Sequence, residues 1–347
     1  FFAAGSGGRH GAVSVRAELW DALPDGTAAC RLCAHGCLLR AGARGVCGVR
    51  RNAGGTLLSL AGDVVTAVNL DPVEKKPLYH FLPGTATFSV GSAGCNFSCR
   101  FCQNSSISCV PTSGRVAGTR VRPEDLAALA CAENARSLAF TYNEPTVFFE
   151  LVRATASLCP DMPVILVSNG YMSRDCLHAL RGLVRAANID LKGFRDAFYR
   201  KFCGARLQPV LDTLKTVKEL GWWLEVTTLI IPGVNDDRQE LAELAAFVHD
   251  ELGADTPWHI SAFHGAHLMA DHPPTPLSTL QQAKDAGRAA GLRFVYMGNV
   301  RCAGGGDTVC PSCGSILVER VGYAVRRHDR AGQCPACGYL LPGVWTA

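Results

Sequence analysis

The sequence predicts an α/β fold, an incomplete parallel (β/α)6–7 barrel flanked by N-terminal and C-terminal cysteine-rich metal-binding modules. Two observations lead there. Between residues 85 and 300, short apolar, β-rich runs alternate with segments of helical period. Outside that span, cysteines fall in two tight groups of four. Alternating strands and helices with near-continuous apolar strands imply a parallel sheet covered by helices. The span is somewhat shorter than the roughly 250 residues of a complete eight-unit barrel. An open doubly wound sheet is the rival, but no G-x-G-x-x-G follows the first strand.

Strands are expected at Thr85–Val90, Leu138–Thr141, Val164–Val167, Ile189–Leu191, Leu224–Ile231, Trp258–Phe263 and Arg293–Tyr296. Helices are expected at Pro123–Asn134, Pro145–Leu158, Ser173–Val184, Pro209–Leu220, Asp236–Leu252 and Ser278–Ala290. Ser173 can cap its helix, with Asp175 near the positive helix end. Pro145 and Pro209 suit first helical turns. Gly221, Gly253 and Gly291 stand where a C-terminal glycine belongs. The expected organisation is a disordered leader (1–27), a four-cysteine module with linker (28–80), the barrel (81–300) and a C-terminal zinc ribbon (301–347).

The 347 residues are 48% hydrophobic and 18% charged, with 34 basic against 30 acidic side chains and a net charge of +4. That balance gives no reason to expect a nucleic-acid face or a membrane-surface tail. The longest apolar stretches, such as Leu224–Pro232, fall far short of the ~18 residues of a membrane span. The 17 cysteines are an odd number, and most are grouped. With no recognisable signal peptide, this favours metal binding in a reducing compartment, hence the cytoplasm. The ungrouped Cys109, Cys131, Cys159, Cys176, Cys203 and Cys302 read mostly as small buried hydrophobes.

Cys95, Cys99 and Cys102 form C-x3-C-x2-C after a strand and Gly94. Parallel barrels place their chemistry in the loops after the strands. Three close thiolates can hold three irons of a four-iron cluster, whereas electron-transfer clusters ordinarily use four cysteines. An open position is also what separates catalytic from structural zinc sites. The open iron can chelate the amino and carboxylate groups of S-adenosylmethionine (SAM). An electron from the reduced cluster then breaks the sulfonium C–S bond, giving a 5′-deoxyadenosyl radical that abstracts hydrogen from substrate.

The segment GCNFSCRFCQNSSIS resembles the cluster loop of radical SAM enzymes related to the pyruvate formate-lyase activating enzyme, including the aromatic Phe101 before the last cysteine. DPVEKKPLYHFLPG, FTYNEP, SNGY, NIDLKGF, VTTLIIPGVNDD and YMGNV, with CRLCAHGC…RGVCGVR and CPSCG…CPACG, resemble the radical enzyme of the AmmeMemoRadiSam system. The resemblance covers nearly all of the chain beyond about Thr27. It implies that Cys95, Cys99 and Cys102 ligate a [4Fe–4S] cluster. It places Glu144 on the methionine ammonium of SAM, within a segment where related enzymes carry Gly-Gly-Glu-Pro. Tyr142 and Asn143 replace those glycines, which puts the backbone contacts in question. It assigns Ser168, Asn169, Asp190 and Lys192 to the ribose and methionine moieties. A carboxylate suits an ammonium and a lysine suits a carboxylate; the bland reading of Asp190–Lys192 is a plain ion pair. Gln103 and Asn104 are candidate supports of the cluster loop.

Cys310, Cys313, Cys334 and Cys337 form two C-x2-C knuckles separated by twenty residues. They read as a closed structural zinc site. Cys30, Cys33, Cys37 and Cys47 are less decisive. Zinc, a slight favourite, and a second iron–sulfur cluster both fit, redox-active thiols are a third reading, and His35 is an alternative ligand. His259 and His264 are candidates for a substrate pocket or proton transfer. A metal among His259, His264, His267 and His272 matches no known spacing. Glu74, Lys75, Lys76 and His80 either cover the barrel mouth or form a solvated linker.

The leading functional expectation is therefore reductive SAM cleavage and hydrogen abstraction from an unidentified small molecule or partner protein, with flavodoxin or ferredoxin as electron donor. The alternatives are a glycyl-radical-enzyme activase acting on a protein glycine, and a non-catalytic zinc-ribbon or iron–sulfur scaffold or electron carrier.

Overall fold

The computed structural model describes residues 14–110 and 116–346. At its centre is an eight-stranded sheet. Strand β1 (Ala67–Pro72) runs antiparallel to β2 (Ala86–Gly91). From β2 onward come β3 (Ser137–Phe140), β4 (Val164–Ser168), β5 (Val184–Asp190), β6 (Trp223–Ile230), β7 (Trp258–Ala262) and β8 (Val295–Gly298). They lie in chain order and all run parallel. Between them run α1 (Pro123–Ala132), α2 (Phe149–Ser157), α3 (Arg174–Ala179), α4 (Gln208–Glu219), α5 (Arg238–Phe247) and α6 (Leu277–Ala289). Among the described residues β1 and β8 do not pair, so the barrel stays open.

The period-2 alternation of strands separates the two faces of the sheet. Leu138 and Phe140 of β3 join the large core with helical Leu126 and Leu151. Ala139, between them, packs instead with Val73, Leu78, Phe81 and Leu82. Residues 73–82 therefore fill the barrel interior from below.

Several expected boundaries move. β5 starts five residues before the expected Ile189, and α3 stops at Ala179 rather than Val184. The expected helix from Pro145 begins as a 3-10 turn, Pro145–Phe148, and α5 closes on a π turn, Val248–Leu252. Ser173 caps α3 as expected, accepting from Cys176 N. The expected leader divides. Residues 1–13 lie outside the described residues, whereas Val15–Arg16 and Trp20–Ala22 are strands of two small antiparallel sheets. That correction has a physical cause: Val15 pairs with Ser59, and Trp20 pairs with Cys30, so distant partners order the segment.

The N-terminal module is locked to the barrel by Arg50, whose side chain is 1% exposed and ion-paired with buried Glu150 of α2. The C-terminal module, with strands Thr308–Val309, Ile316–Val321 and Ala324–Arg327, closes the bottom of the barrel. There Val344 N donates to His80 O, and Leu82 N donates to Val344 O.

A buried polar network joins these parts. Glu225 of β6 accepts from Tyr79 N, His80 N (2.8 Å), Trp223 Nε1 (2.9 Å) and His259 Nε2 (2.6 Å). Burial pushes this carboxyl up, but His259 and the other donors outweigh it and hold it below the usual range. A carbonyl can only accept, so His80 Nδ1 donates to Pro342 O (2.8 Å). His80 Nε2 then accepts from Tyr296 OH (2.6 Å). His80 is thus held neutral, and burial pushes its pKa down to about 4. His259, expected near a substrate, is instead a structural partner of Glu225 at the start of β7. Glu74 and His80 are likewise buried inside the barrel, whereas Lys75 and Lys76 line the cavity at its mouth.

A histidine depressed on folding contributes stability above its unfolded pKa of about 6.5, and that stability is lost as pH falls toward 4. The span corresponds to roughly 3 kcal/mol. Thermal denaturation of the wild type should therefore weaken across this window. His80→Gln should be less stable at pH 7 and lose less on acidification; parallel curves would contradict this role.

Candidate active site

The C-terminal ends of the parallel strands open onto a cavity of about 490 Å³. Cys95, Cys99 and Cys102 line it together with Asn143, Glu144, Ser168, Asn169, Asp190 and Lys192. The fold thus gathers every residue that the sequence had marked for the central cluster and SAM. Lys75, Lys76, Tyr142, Thr227, Ser261 and Tyr323 extend the wall. Tyr323 comes from the C-terminal module.

The cysteine loop leaves β2 at Gly94, whose φ is +86°. A Cβ there would lie 2.8 Å from Cys47 O and 2.7 Å from Val49 Cγ1, so glycine is needed for the close approach of the N-terminal module. Asn143 pins this loop: Ser92 N donates to its Oδ1 (2.9 Å), and its Nδ2 donates to Gly94 O (2.7 Å). Asn143, expected beside SAM, thus spends its amide on the loop. Asn104 Nδ2 donates to Tyr142 O (2.7 Å), while Gln103 lines the cavity.

Glu144 is 3% exposed. Its Oε1 accepts from Thr146 N, Thr146 Oγ1 and Ser168 Oγ (2.8 Å), and its Oε2 from Asn169 N (2.8 Å). Burial pushes the carboxyl up against these donors. A carboxylate offers about four lone-pair sites, and Oε2 retains one for a ligand. Asn169 Nδ2 reaches Asn96 Oδ1 (2.7 Å) and lies 3.7 Å from Cys95 Sγ. Lys192 Nζ donates to Asp190 Oδ2 (2.7 Å). Burial pushes Lys192 down, but Asp190 and Cys99 outweigh it and hold the ammonium above its usual range.

Tyr142 stands where a glycine was expected and adopts a left-handed φ of +71°. Such a conformation costs a non-glycine residue roughly 1–2 kcal/mol. Its hydroxyl donates to Asp71 Oδ2 and accepts from Asn69 Nδ2 (3.0 Å), and Lys76 Nζ sits 4.7 Å from its ring centre. Lys76 Nζ also donates to Asp71 Oδ2 (2.6 Å); burial lowers its pKa to about 8. Sequence reasoning missed the Asp71–Tyr142 pairing, although DPVEKKP was a signal. Cys203 lies in the core, as expected of a small buried hydrophobe, but its contact with Cys99 was not foreseen. Cys203 is buried, and its hydrogen bond to Cys99 holds the Cys99 thiol below its usual range. Cys159 and Cys176 are also buried, whereas Cys109 and Cys131 are exposed.

His264 lies at the rim, with Nε2 3.1 Å from Asn299 O. Cys310, Cys313, Cys334 and Cys337 form a compact group whose sulfurs all lie within 4.8 Å of one another. Among the described residues no comparable set forms from His259, His264, His267 and His272.

Residues 89–245 match the Radical SAM superfamily. The chain is 39% identical over 327 residues to the uncharacterized protein MJ0808 of Methanocaldococcus jannaschii, covering 93% of this chain and 97% of that one. The chain belongs to the radical SAM superfamily. A second M. jannaschii protein, the putative glycyl-radical enzyme activating enzyme MJ1632, is 25% identical over 219 residues, covering 60% of this chain and 78% of the relative. Solved structures that it resembles include a domain of pyruvate-formate lyase-activating enzyme from Bacteroides vulgatus, with TM-score 0.39 and 16% identity, covering 47% of this chain and 99% of that domain. Another is Streptococcus suis SuiB bound to S-adenosylmethionine, with TM-score 0.47 and 13% identity, covering 59% of this chain and 48% of that one.

Membership of the radical SAM superfamily implies a [4Fe–4S] cluster and SAM. The residues present fit that group. Three thiols share one wall of the cavity. Phe97 N donates to Cys95 Sγ at 3.4 Å, an interaction suited to a thiolate. Asn96 Nδ2 beside them is buried and has no partner among the described residues, which leaves a donor for cluster sulfur.

Asn143→Ala leaves Ser92 N–H and Gly94 C=O unpaired, at a cost of about 1–3 kcal/mol per buried group. We expect a lower melting temperature and less iron retained per chain after anaerobic reconstitution. Unchanged iron content would show that the loop holds its shape without this amide.

Proposed function

We propose that this radical SAM protein cleaves SAM reductively and abstracts hydrogen from a substrate in an AmmeMemoRadiSam system. The observation that carries the reading is the meeting of three cysteines, Glu144 and the Asp190–Lys192 pair on one cavity wall. When bound at Cys95, Cys99 and Cys102, the cluster supplies the electron that breaks the SAM C5′–S bond, so that methionine leaves and the 5′-deoxyadenosyl radical takes a substrate hydrogen.

The chain's own residues bind and orient. The free lone pair of Glu144 Oε2 would accept an N–H of the methionine amino group, and Ser168 and Asn169 fix that carboxylate from β4. Lys192 faces the methionine carboxylate, its charge balanced by Asp190. Asn143 and Asn169 keep the cysteine loop in register with β3 and β4. The filled lower barrel leaves the mouth as the route for substrate and shields the reacting centre from water. Lys75, paired with Asp71, and Ser261 present polar groups on the remaining wall, while Lys76 and Tyr142 are tied to Asp71, which suits a polar substrate. The C-terminal four-cysteine group holds zinc and keeps the module bearing Tyr323 folded. A second reading, an activase acting on a protein glycine, is supported by the likeness to MJ1632. It predicts a glycyl radical, seen by electron paramagnetic resonance (EPR), on a partner protein.

The test is anaerobic turnover with SAM and dithionite, with 5′-deoxyadenosine measured by mass spectrometry. The reconstituted parent should form it, and Cys95/Cys99/Cys102→Ala should not. Glu144→Gln removes a charge-assisted hydrogen bond of about 1.5–3 kcal/mol, so SAM binding should weaken about tenfold or more. Equal product from the triple variant would refute the assignment.

A further inference from the structure

The two four-cysteine groups differ in spacing. At the C-terminus Cys310 Sγ lies 3.6 Å from Cys337 Sγ, and Cys313 Sγ lies 3.6 Å from Cys334 Sγ. A tetrahedral zinc with bonds of about 2.3 Å asks for sulfurs about 3.8 Å apart. Cys30, Cys33, Cys37 and Cys47 also face one another across a single small cavity. Yet no three of their sulfurs lie within 4.8 Å of one another. The sulfurs of Cys95, Cys99 and Cys102 likewise do not all lie within 4.8 Å of one another. An iron–sulfur cluster sets its ligand sulfurs on a larger frame than a single ion does. One chain therefore carries a zinc-sized group and two larger ones.

The surroundings suit thiolate ligands. Buried Arg50 donates to Cys30 Sγ at 3.8 Å. A Cβ on Gly45 would lie 3.7 Å from both Cys37 Sγ and Cys47 Sγ, so this turn packs directly against two of the four sulfurs. The module also abuts the central loop. His35 Nε2 lies 2.7 Å from Asn96 O, one residue after Cys95, and Cys47 O packs on Gly94.

We infer that Cys30, Cys33, Cys37 and Cys47 hold a second iron–sulfur cluster, placed to pass electrons to the cluster of the central triplet. This rests on the reading of the central site proposed above. An external one-electron reductant, a reduced flavin or iron–sulfur protein, reduces the N-terminal cluster by one electron. That electron moves on to the central cluster, and the N-terminal cluster returns to its oxidised state. No bond forms or breaks and no proton moves. The path runs from Cys33 through His35 to the Asn96 carbonyl and Cys95.

The test counts metal in anaerobically reconstituted protein. The parent should carry about eight irons, about eight sulfides and one zinc if both clusters are cubanes. Cys95/Cys99/Cys102→Ala should keep about four irons and an EPR signal on reduction; its retained zinc reports that the chain is folded. Cys33→Ser should lose the N-terminal signal and still cleave SAM with dithionite. In the reduced parent, the two clusters should broaden or split each other's EPR lines. Two zincs with only central iron, or no metal at the N-terminal site, would overturn the assignment. Two clusters without magnetic interaction would overturn the electron path. Failure of the parent to form 5′-deoxyadenosine would instead strike the central site and leave the iron count standing.

Discussion

The site depends on one buried carboxylate. Glu144 sits at the end of β3, almost out of contact with solvent, where an unpaired charge would be costly. It is satisfied by Thr146 from its own turn and by Ser168 and Asn169 from the end of β4. That set of bonds fixes the relative position of two strand ends. Asn169 then reaches Asn96 and Cys95, and Asn143 reaches both sides of Gly94. The cysteine loop is therefore held by the strands that bear the groups proposed to face SAM. A displaced Glu144 would move the loop and the ligand pocket together.

A second buried carboxylate does for the bottom what Glu144 does for the top. Glu225 gathers the linker backbone at Tyr79 and His80, and His259 of β7. Through His80 and Tyr296 it connects to Pro342 and Thr308 of the C-terminal module. The open edge between β1 and β8 leaves the lower barrel unsealed, and residues 73–82 with the C-terminal module supply the missing interior. The two cysteine-rich modules are thus structural parts of the barrel, one beneath it and one against its cluster loop.

The alternation of apolar runs and helices was legible because each strand is buried on both faces and each helix carries one apolar stripe. β5 was read short because Ala186, Ala187 and exposed Arg185 give its first half little strand character. Strands of two or three residues in the flanking modules are too short to show a period. At the site, motif residues were legible one by one, and the fold collects them on one cavity. The division of labour among them was not: that Asn143 binds the loop follows from a contact to Ser92 51 residues away. His259 looked functional because a histidine on a strand is ambiguous; its partner Glu225 lies 34 residues earlier. The contacts of His80 span 145 and 216 residues, beyond any local window.

These features make one claim about chemistry: three cysteines leave one iron open, and Glu144 and Lys192 orient SAM onto it. Electron–nuclear double resonance tests this most directly, on the reduced Cys33→Ser protein with SAM labelled with ¹⁵N at its amino group. The account predicts a ¹⁵N hyperfine coupling that marks the amino nitrogen as bound to cluster iron. A reduced cluster whose spectrum shows no ¹⁵N coupling at saturating SAM would contradict it.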